Sequence, residues 1–417
     1  MQWSPAMSVL QPYEGRTGGA VYLAAEPAAT LWGLLPNAAS RPVLTVDSGS
    51  VVCVDTLSHE GILPDQGGDP AAFFAAAGIG PGAVLRDAAE LASLGGPSDA
   101  RARGPHVVTG PIAVSGARPG DVLEVEVLKL RRRTGYGVIS NRHGRGALPG
   151  EYPAAPPGHP DGVPVPTVSL VAHVDEDGRG RLPVGDGRDI RFPLAPFLGI
   201  MGVAPATDEP VHSVPPGAHG GNLDIRVLTA GTRLFLPVQV PEALFYAGDP
   251  HFSQGDGEVA LTAFEAPLRA TVRLTLHSDP AARRLAARLG GPYAETAGHL
   301  LVTGLDPDLD EAVRKATRAA LAYLAERCAL PPHVALAYLS AAVDLRISQV
   351  VDRVKGVHVM LPREDLAPLL AGPAPVAAAA GVPGQAVSCP DAPLRMPAAA
   401  PGTGTTHPAV PGDGGPA

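Results

Sequence analysis

The sequence predicts a mainly β fold of the α+β class: a β-sandwich or barrel-like body, then C-terminal helices with short strands, then a disordered Ala/Pro/Gly-rich tail. Three observations predict it. Apolar and polar residues alternate at period two through most of residues 20 to 280. After residue 305 the apolar spacing lengthens to three and four, and from residue 371 the chain is almost entirely Ala, Pro, Gly, Val and Thr. A division follows into residues 1–205, a mainly β region; residues 206–370, with polar loops among strands and then helices; and residues 371–417, the tail.

Taken in order, "HVVTGPIAV" and "DVLEVEVLKL" read as strands on either side of the Pro119-Gly120 turn, which predicts a hairpin-like pair. Leu123, Val125 and Val127 share one face, and Glu124 and Glu126 the other. "TRLFLPVQVP" and "PLRATVRLTLH" repeat the pattern, with Ala270, Val272, Leu274 and Leu276 on one face. Gly/Pro-rich connections at residues 133–165 and 205–222 are long enough to call for a functional reason. The first either covers a site or forms an interface. Asp308 and Glu311 stand at capping distance before a helix carried by Leu309, Val313, Ala316, Ala320, Tyr323 and Leu324. A second helix is expected over "PPHVALAYLSAAVDLRIS", with Asp344 and Arg346 as a pair at its end, before the strand "VHVMLP".

Composition narrows the function. A formal charge of −9 argues against a broad phosphate-binding surface, and the cluster Arg131–Arg133 with Arg142 and Arg145 reads as a solvated face. Three cysteines in a chain of 417 residues fit a reducing compartment rather than a disulfide framework. No basic-then-apolar leader opens the chain, and no apolar run reaches the ~18 residues of a membrane span, so a cytoplasmic location without nucleic-acid or membrane partners is expected.

The chemistry gathers in loops ahead of strands. "YAGDPHFSQGDGEVALTAFEA" brings together Asp249, His251, Asp256 and Glu258 on a glycine-rich backbone; in extended chain, residues two apart share a face, so the four groups are able to converge. "PPGAHGGNLDIR" repeats the arrangement with His219, Asn222 and Asp224, and "CVDTLSHEGI" adds Asp55, His59 and Glu60. Carboxylates with imidazoles suit Zn²⁺ or a similar divalent ion. A tight turn whose aspartate bonds its own backbone, with an ordinary surface histidine, is the alternative. Several mechanisms find no motif: G-x-S-x-G is absent, position 63 is Leu where a zinc-peptidase helix needs a second histidine, and neither a Walker loop nor a dinucleotide fingerprint occurs.

The segments "HVVTGPIAVSGARPGDVLEVEVL", "PFLGIMGVAP", "VPPGAHGGNLDIRVLTAGTRLFLPVQVPEALFYAGDPHFSQGDGEVALTAFE" and "YLSAAVDLRISQVVD" resemble the acetamidase/formamidase family over roughly residues 40 to 365. The resemblance implies a cytoplasmic, metal-dependent, homo-oligomeric hydrolase of small linear amides that releases ammonia and a carboxylic acid. Read from the convergent loops, Asp224 and His251, with His219 or Asp55, are expected to hold a divalent metal, with Zn²⁺ first and Ca²⁺ or Mg²⁺ as alternatives. Glu258 is expected to be the general base and then acid, with Asp249 beside it. Asn222 and the amides near Gly220 and Gly221 are expected to hold the oxyanion, Gln254 to orient water or cap its turn, and His106 to touch substrate or serve as a structural histidine. Two other readings stay open: a non-catalytic β-sandwich binding protein with structural Ca²⁺, and a hydrolase of a larger or cyclic amide.

Overall fold

The structure is a computed structural model describing residues 9–15, 17–97 and 102–370. The expected tail at 371–417 lies outside them. Two large sheets face one another. The first has nine strands, in the order Val21–Leu23, Ser50–Asp55, Leu268–His277, Val122–Arg132, Arg233–Pro237, Tyr293–Glu295, His299–Asp306, Lys355–Pro362, Asp344–Gln349; only the first pair is parallel. The second has eleven strands, with Phe245–Ser253 at its centre, flanked by Phe197–Gly202 and Val107–Val114. The main core lies between them: Leu123, Val125 and Val272 from the first sheet pack with Ile112, Leu198 and Phe245 from the second. Mainly β with multiple sheets holds, and the sheets stay open, so the barrel-like variant does not.

Strands from both sides of residue 205 interleave in both sheets, so the expected boundary there separates nothing, and the described residues form one compact unit. The expected hairpin is also corrected. Val107–Val114 is buried along its whole length in the second sheet, while Val122–Arg132 lies in the first. The Pro119-Gly120 turn therefore carries the chain from one sheet to the other. Two helices, Pro70–Ala76 and Arg86–Ser93, interrupt the predicted β run; Asp69 caps the first by accepting from the amides of Ala71 and Ala72.

The helix Leu309–Cys328 forms as its spacing predicts, with the Asp308 carboxylate accepting from Glu311 N at 2.9 Å. It lies against strand His299–Asp306 so closely that a Cβ on Gly304 would stand 2.1 Å from the Ala312 carbonyl oxygen. The second helix stops at Ala342. Asp344–Gln349, expected as its continuation, is instead an edge strand paired antiparallel with Lys355–Pro362, because alternation in "DLRISQ" is satisfied by a partner strand one turn away. Asp344 and Arg346 are 3.9 Å apart on that strand, not at a helix end.

Candidate active site

The strand Phe245–Ser253 supplies the centre of the site. Its neighbour Phe197–Gly202 contributes Gly199, where a Cβ would stand 2.5 Å from both Asp224 Oδ1 and Asp249 Oδ2. Only glycine leaves that space open. Asp249 and His251 share a face, as period two requires, and His251 lies across from Phe197 on one side and Glu265 on the other. The strand-turn-strand segment 344–362 then brings in Asp352. Gln349 holds its turn, accepting from the amides of Val351 and Asp352 and donating to the Val354 carbonyl. Ser348 and Gly257 exchange contact across to the Glu258 loop, with Gly257 N donating to Ser348 O at 3.1 Å.

Eight buried side chains converge: His59, His106, Asp224, Asp249, His251, Glu258, Glu265 and Asp352. They form four overlapping groups of three whose ligand atoms lie within 4.8 Å of one another. Two ligands of one ion at ~2.1 Å stand up to ~4.2 Å apart, so modest side-chain shifts close each group on a cation. His251 Nε2 is 3.0 Å from Asp249 Oδ2 and from Glu265 Oε1, and His59 Nδ1 is 3.5 Å from Asp249 Oδ1. These approaches lack hydrogen-bond alignment: both His251 nitrogens, both Asp224 oxygens, Asp249 Oδ1, Glu265 Oε2, Asp352 Oδ2 and His59 Nδ1 are buried without a hydrogen-bond partner. So many orphaned buried acceptors cost several kcal/mol unless a cation meets them. The donor set, three imidazoles and five carboxylates, fits a divalent metal.

Burial and mutual charge set the titration. Burial, then the charges of Asp352 and Asp249, push the Asp224 carboxyl well above its usual range. Glu258 rises for burial first and Asp224 second, and Asp352 for burial first and Glu258 second. Burial opposes ionisation of Asp249 as well, but the imidazoles of His251, His106 and His59 outweigh it and hold that carboxyl well below the ordinary range. Burial brings His106 down to about 3, so it is a neutral ring, with Nδ1 3.0 Å from Ser213 Oγ. Backbone strain marks the same residues: Asp224, Asp249 and Glu258 sit at φ of 48°, 50° and 48°, a left-handed conformation costing non-glycine residues about 1–3 kcal/mol each.

Of the residues expected from sequence, Asp224, Asp249, His251 and Glu258 meet here, and Asn222 lines the same cavity. Asp55 does not. Its carboxylate is taken up by Arg269 at 2.5 and 2.8 Å, Tyr22 at 2.6 Å and Arg133 at 3.4 Å, which leaves nothing for a metal. That network also overturns the solvated reading of Arg133, which is fully buried. His219 turns against Gly217 and Gly221 and belongs to none of the four groups. Gly220 already donates its amide to the Gly217 carbonyl, and a Cβ there would stand 2.5 Å from the Met201 carbonyl oxygen; it serves backbone packing, not an oxyanion. Gly221 likewise sits at φ 83° against His219 and Leu35, away from the cavity lining. Gln254 donates to the carbonyls of Asp224 and Ser348, so it positions the strained Asp224 rather than touching substrate. Asp256 faces outward, 3.9 Å from Arg226.

His106 stands with His59 and Asp249 in one of the four groups spaced to hold an ion, its ring edge-on to His59 at 5.0 Å. His59, Glu265 and Asp352 were not among the expected site residues. For His59 a signal existed, since "SHEG" is a polar cluster after an apolar strand; Glu265 and Asp352 close two of the family-like segments but have no local pattern of their own.

A sequence model of the acetamidase/formamidase family matches residues 98–212 and 206–365. The acetamidase of Mycolicibacterium smegmatis is 31% identical over 198 residues, covering 37% of this chain and 49% of that protein. The formamidase of Methylophilus methylotrophus is 31% identical over 191 residues, covering 37% and 47%. The chain thus spans about half the length of the curated relatives it matches. Among solved structures, the acetamidase of Bacillus halodurans superimposes with a TM-score of 0.65 at 25% identity, over 84% of this chain and 99% of that one. The acetamidase of Yersinia enterocolitica, at 24% identity and a TM-score of 0.62 over 84% and 94%, shares the fold. With the family match spanning most of the two-sheet body and including Asp224, Asp249, His251, Glu258, Glu265 and Asp352, the chain belongs to the acetamidase/formamidase family.

Proposed function

We propose that this protein is a carboxamide hydrolase that uses a divalent cation, with Zn²⁺ the first candidate, and releases ammonia and a carboxylate. Family membership and the acetamidase and formamidase among its relatives support the reaction class. What supports the cation most is the set of buried, unpartnered ligand atoms around Gly199. His59, His106 and Asp249, two imidazoles and a carboxylate, are the donors Zn²⁺ favours, with Asp224 and His251 beside them. When bound, such a cation supplies positive charge that polarises an amide carbonyl and acidifies water.

The remaining steps belong to the chain. Asn222, buried on the cavity wall, donates from its side-chain amide to the carbonyl oxygen as negative charge builds there. Glu258 takes a proton from water on a carboxylate oxygen and returns it to the leaving nitrogen; its burial suits it to hold that proton between the two events. Asp249, shared by two ligand groups, is a ligand in this scheme instead of a proton carrier.

Ammonia release from a panel of short amides, with and without chelator, tests the reading; release that stops on chelation and returns with metal is expected, and no release from any amide overturns it. Glu258→Ala is expected to abolish turnover while metal content stays, and parallel loss of metal makes Glu258 a ligand. One observation favours a second reading: Asp224, Glu258 and Asp352 form an all-carboxylate group suited to structural Ca²⁺, under which chelation destabilises the protein and no amide is hydrolysed.

A cytoplasmic setting is proposed on the buried free thiols of Cys53 and Cys328. Among the described residues no helix is long and apolar enough to cross a membrane. Homo-oligomerisation is proposed on Val334 and Leu336 of the second C-terminal helix and Leu345 and Ile347 of the edge strand, all exposed.

A further inference from the structure

The cavity above the site is too large for the smallest amides. It encloses about 680 Å³, whereas acetamide or formamide fills on the order of 100 Å³ at ~30 Å³ per water-sized group. Its two ends also differ in charge. The buried end carries Asp249, Glu258 and Glu265, and the solvent-facing end is lined by Arg103, Arg142, Arg145 and Arg353.

Arg142 is neutralised, 2.8 Å from Glu60 and 2.6 Å from Asp65. Arg103, Arg145 and Arg353 are exposed and make no ion pair among the described residues. Partial burial, then the charges of Arg142 and Arg353, weaken the hold of Arg145 on its proton, and the Asp65 carboxylate, already paired with Arg142, offsets this only in part. The loops that carry Arg145 and Arg353 are fastened. Ala147 N donates to the Val259 carbonyl at 2.9 Å and Asn141 Nδ2 to the Ala260 carbonyl at 2.6 Å. The Gln349 side chain clamps the turn bearing Arg353, itself at φ 65°. Arg353 directly follows Asp352, so one rigid turn presents an acid inward and a cation at the opening.

We propose that Arg145 and Arg353, with Arg103, form a carboxylate-binding mouth, and that the substrate is a linear amide whose far end carries a carboxylate, of the half-amide type derived from a dicarboxylic acid. Guanidiniums favour bidentate pairing with carboxylate, and a mouth whose Asp65 is already taken up by Arg142 leaves Arg145 and Arg353 to recruit that anion from the substrate. The opposite charges of the two ends then keep the amide at the acidic, buried end and the carboxylate at the basic one. This inference rests on the amide-hydrolase reading of the same site.

The test compares kcat/KM of the full-length protein, as purified with its metal, for half-amides of four-, five- and six-carbon dicarboxylic acids and for neutral amides of the same chain length. At least one half-amide is expected to exceed its neutral counterpart by roughly 10- to 100-fold at low salt. That ratio is expected to shrink with added salt and to fall at least tenfold in R145Q/R353Q. Neutral amides turned over as well as every half-amide, or a ratio unmoved by the double substitution, overturns the proposal. If no amide of either kind is hydrolysed, the hydrolase reading fails instead, and the mouth is judged by calorimetric binding of the five-carbon dicarboxylate: binding weakened at least tenfold in R145Q/R353Q upholds it, and absent or unchanged binding overturns it.

Discussion

Two clusters of buried charge lie within the same two-sheet body, and they are built on opposite principles. In one, Asp55 and Asp87 meet Arg133 and Arg269, two carboxylates against two guanidiniums, and Arg269, Arg133 and Tyr22 take up the oxygens of Asp55. In the other, Asp224, Asp249, Glu258, Glu265 and Asp352 share space with three histidines, and among the described residues none of these carboxylates forms an ion pair with an arginine or lysine. Both are buried and both join strands distant in sequence. Burial and acidity therefore do not separate a structural cluster from a functional one. The kind of cation does: the first cluster carries its own as fixed guanidiniums, and the second, on the function proposed above, takes a mobile one.

The largest expected effect lies in the acidic cluster. Glu258→Gln keeps the shape and removes the proposed proton carrier, so turnover is expected to fall by about 10²–10⁴-fold while stability moves little, read by steady-state kinetics beside a thermal melt. The converse belongs to the paired cluster. Asp55→Asn leaves two buried guanidiniums short of a partner, at a cost of about 3–5 kcal/mol in urea unfolding, and the protein keeps its metal content. If Asp55→Asn strips metal without loss of stability, the two clusters have been assigned the wrong way round.

A third expectation uses histidine, which responds in opposite directions in different surroundings. His251 is raised well above its ordinary pKa because Glu265 and Asp249 outweigh burial, whereas burial holds His358, bonded to Ser348 Oγ at 2.8 Å, down at about 4. For His358 the unfolded chain binds the proton more readily than the folded one. Its contribution is present above pH ~6.5 and is lost as pH falls toward 4, by about 3 kcal/mol in total. His358→Leu is expected to flatten the fall in stability between pH 7 and pH 4, and an unchanged slope places the proton uptake elsewhere. The smallest effect is also the most discriminating. In chelated protein, Asp224→Asn relieves a buried carboxylate pressed by Asp352 and Asp249 and raises stability by about 1–2 kcal/mol, whereas turnover of the metal-loaded protein drops.

How much of this was legible follows from where each residue sits. Asp224, Asp249, His251 and Glu258 stand out because polar groups on glycine-rich backbone just ahead of strands serve no core. The strand faces of Leu123, Val125 and Val127, and of Ala270, Val272 and Leu274, follow from period two alone and are buried as expected. Glu265 was hidden because a strand-end glutamate looks like any solvent-facing position, and only the cross-strand register with His251 turns it inward. Asp352 was hidden because its segment read as the sequel to a helix, and an edge hairpin is what delivers it. Asp55 was misplaced for a physical reason too: its partner Arg269 lies 214 residues away, and no local pattern shows that its charge is already met. The same limit applies to Val107–Val114 and Val122–Arg132, where a turn at the right place did not reveal which sheet each strand would join.

The most direct measurement is the thermal melt of chelator-stripped protein during titration with Zn²⁺, run on the native chain, Asp249→Asn and Asp55→Asn, with elemental analysis of each as purified. The account predicts a midpoint that climbs with Zn²⁺ for the native chain and, from a lower start, for Asp55→Asn, and that stays flat for Asp249→Asn. Native protein that holds no metal and melts at one temperature across the titration would contradict it.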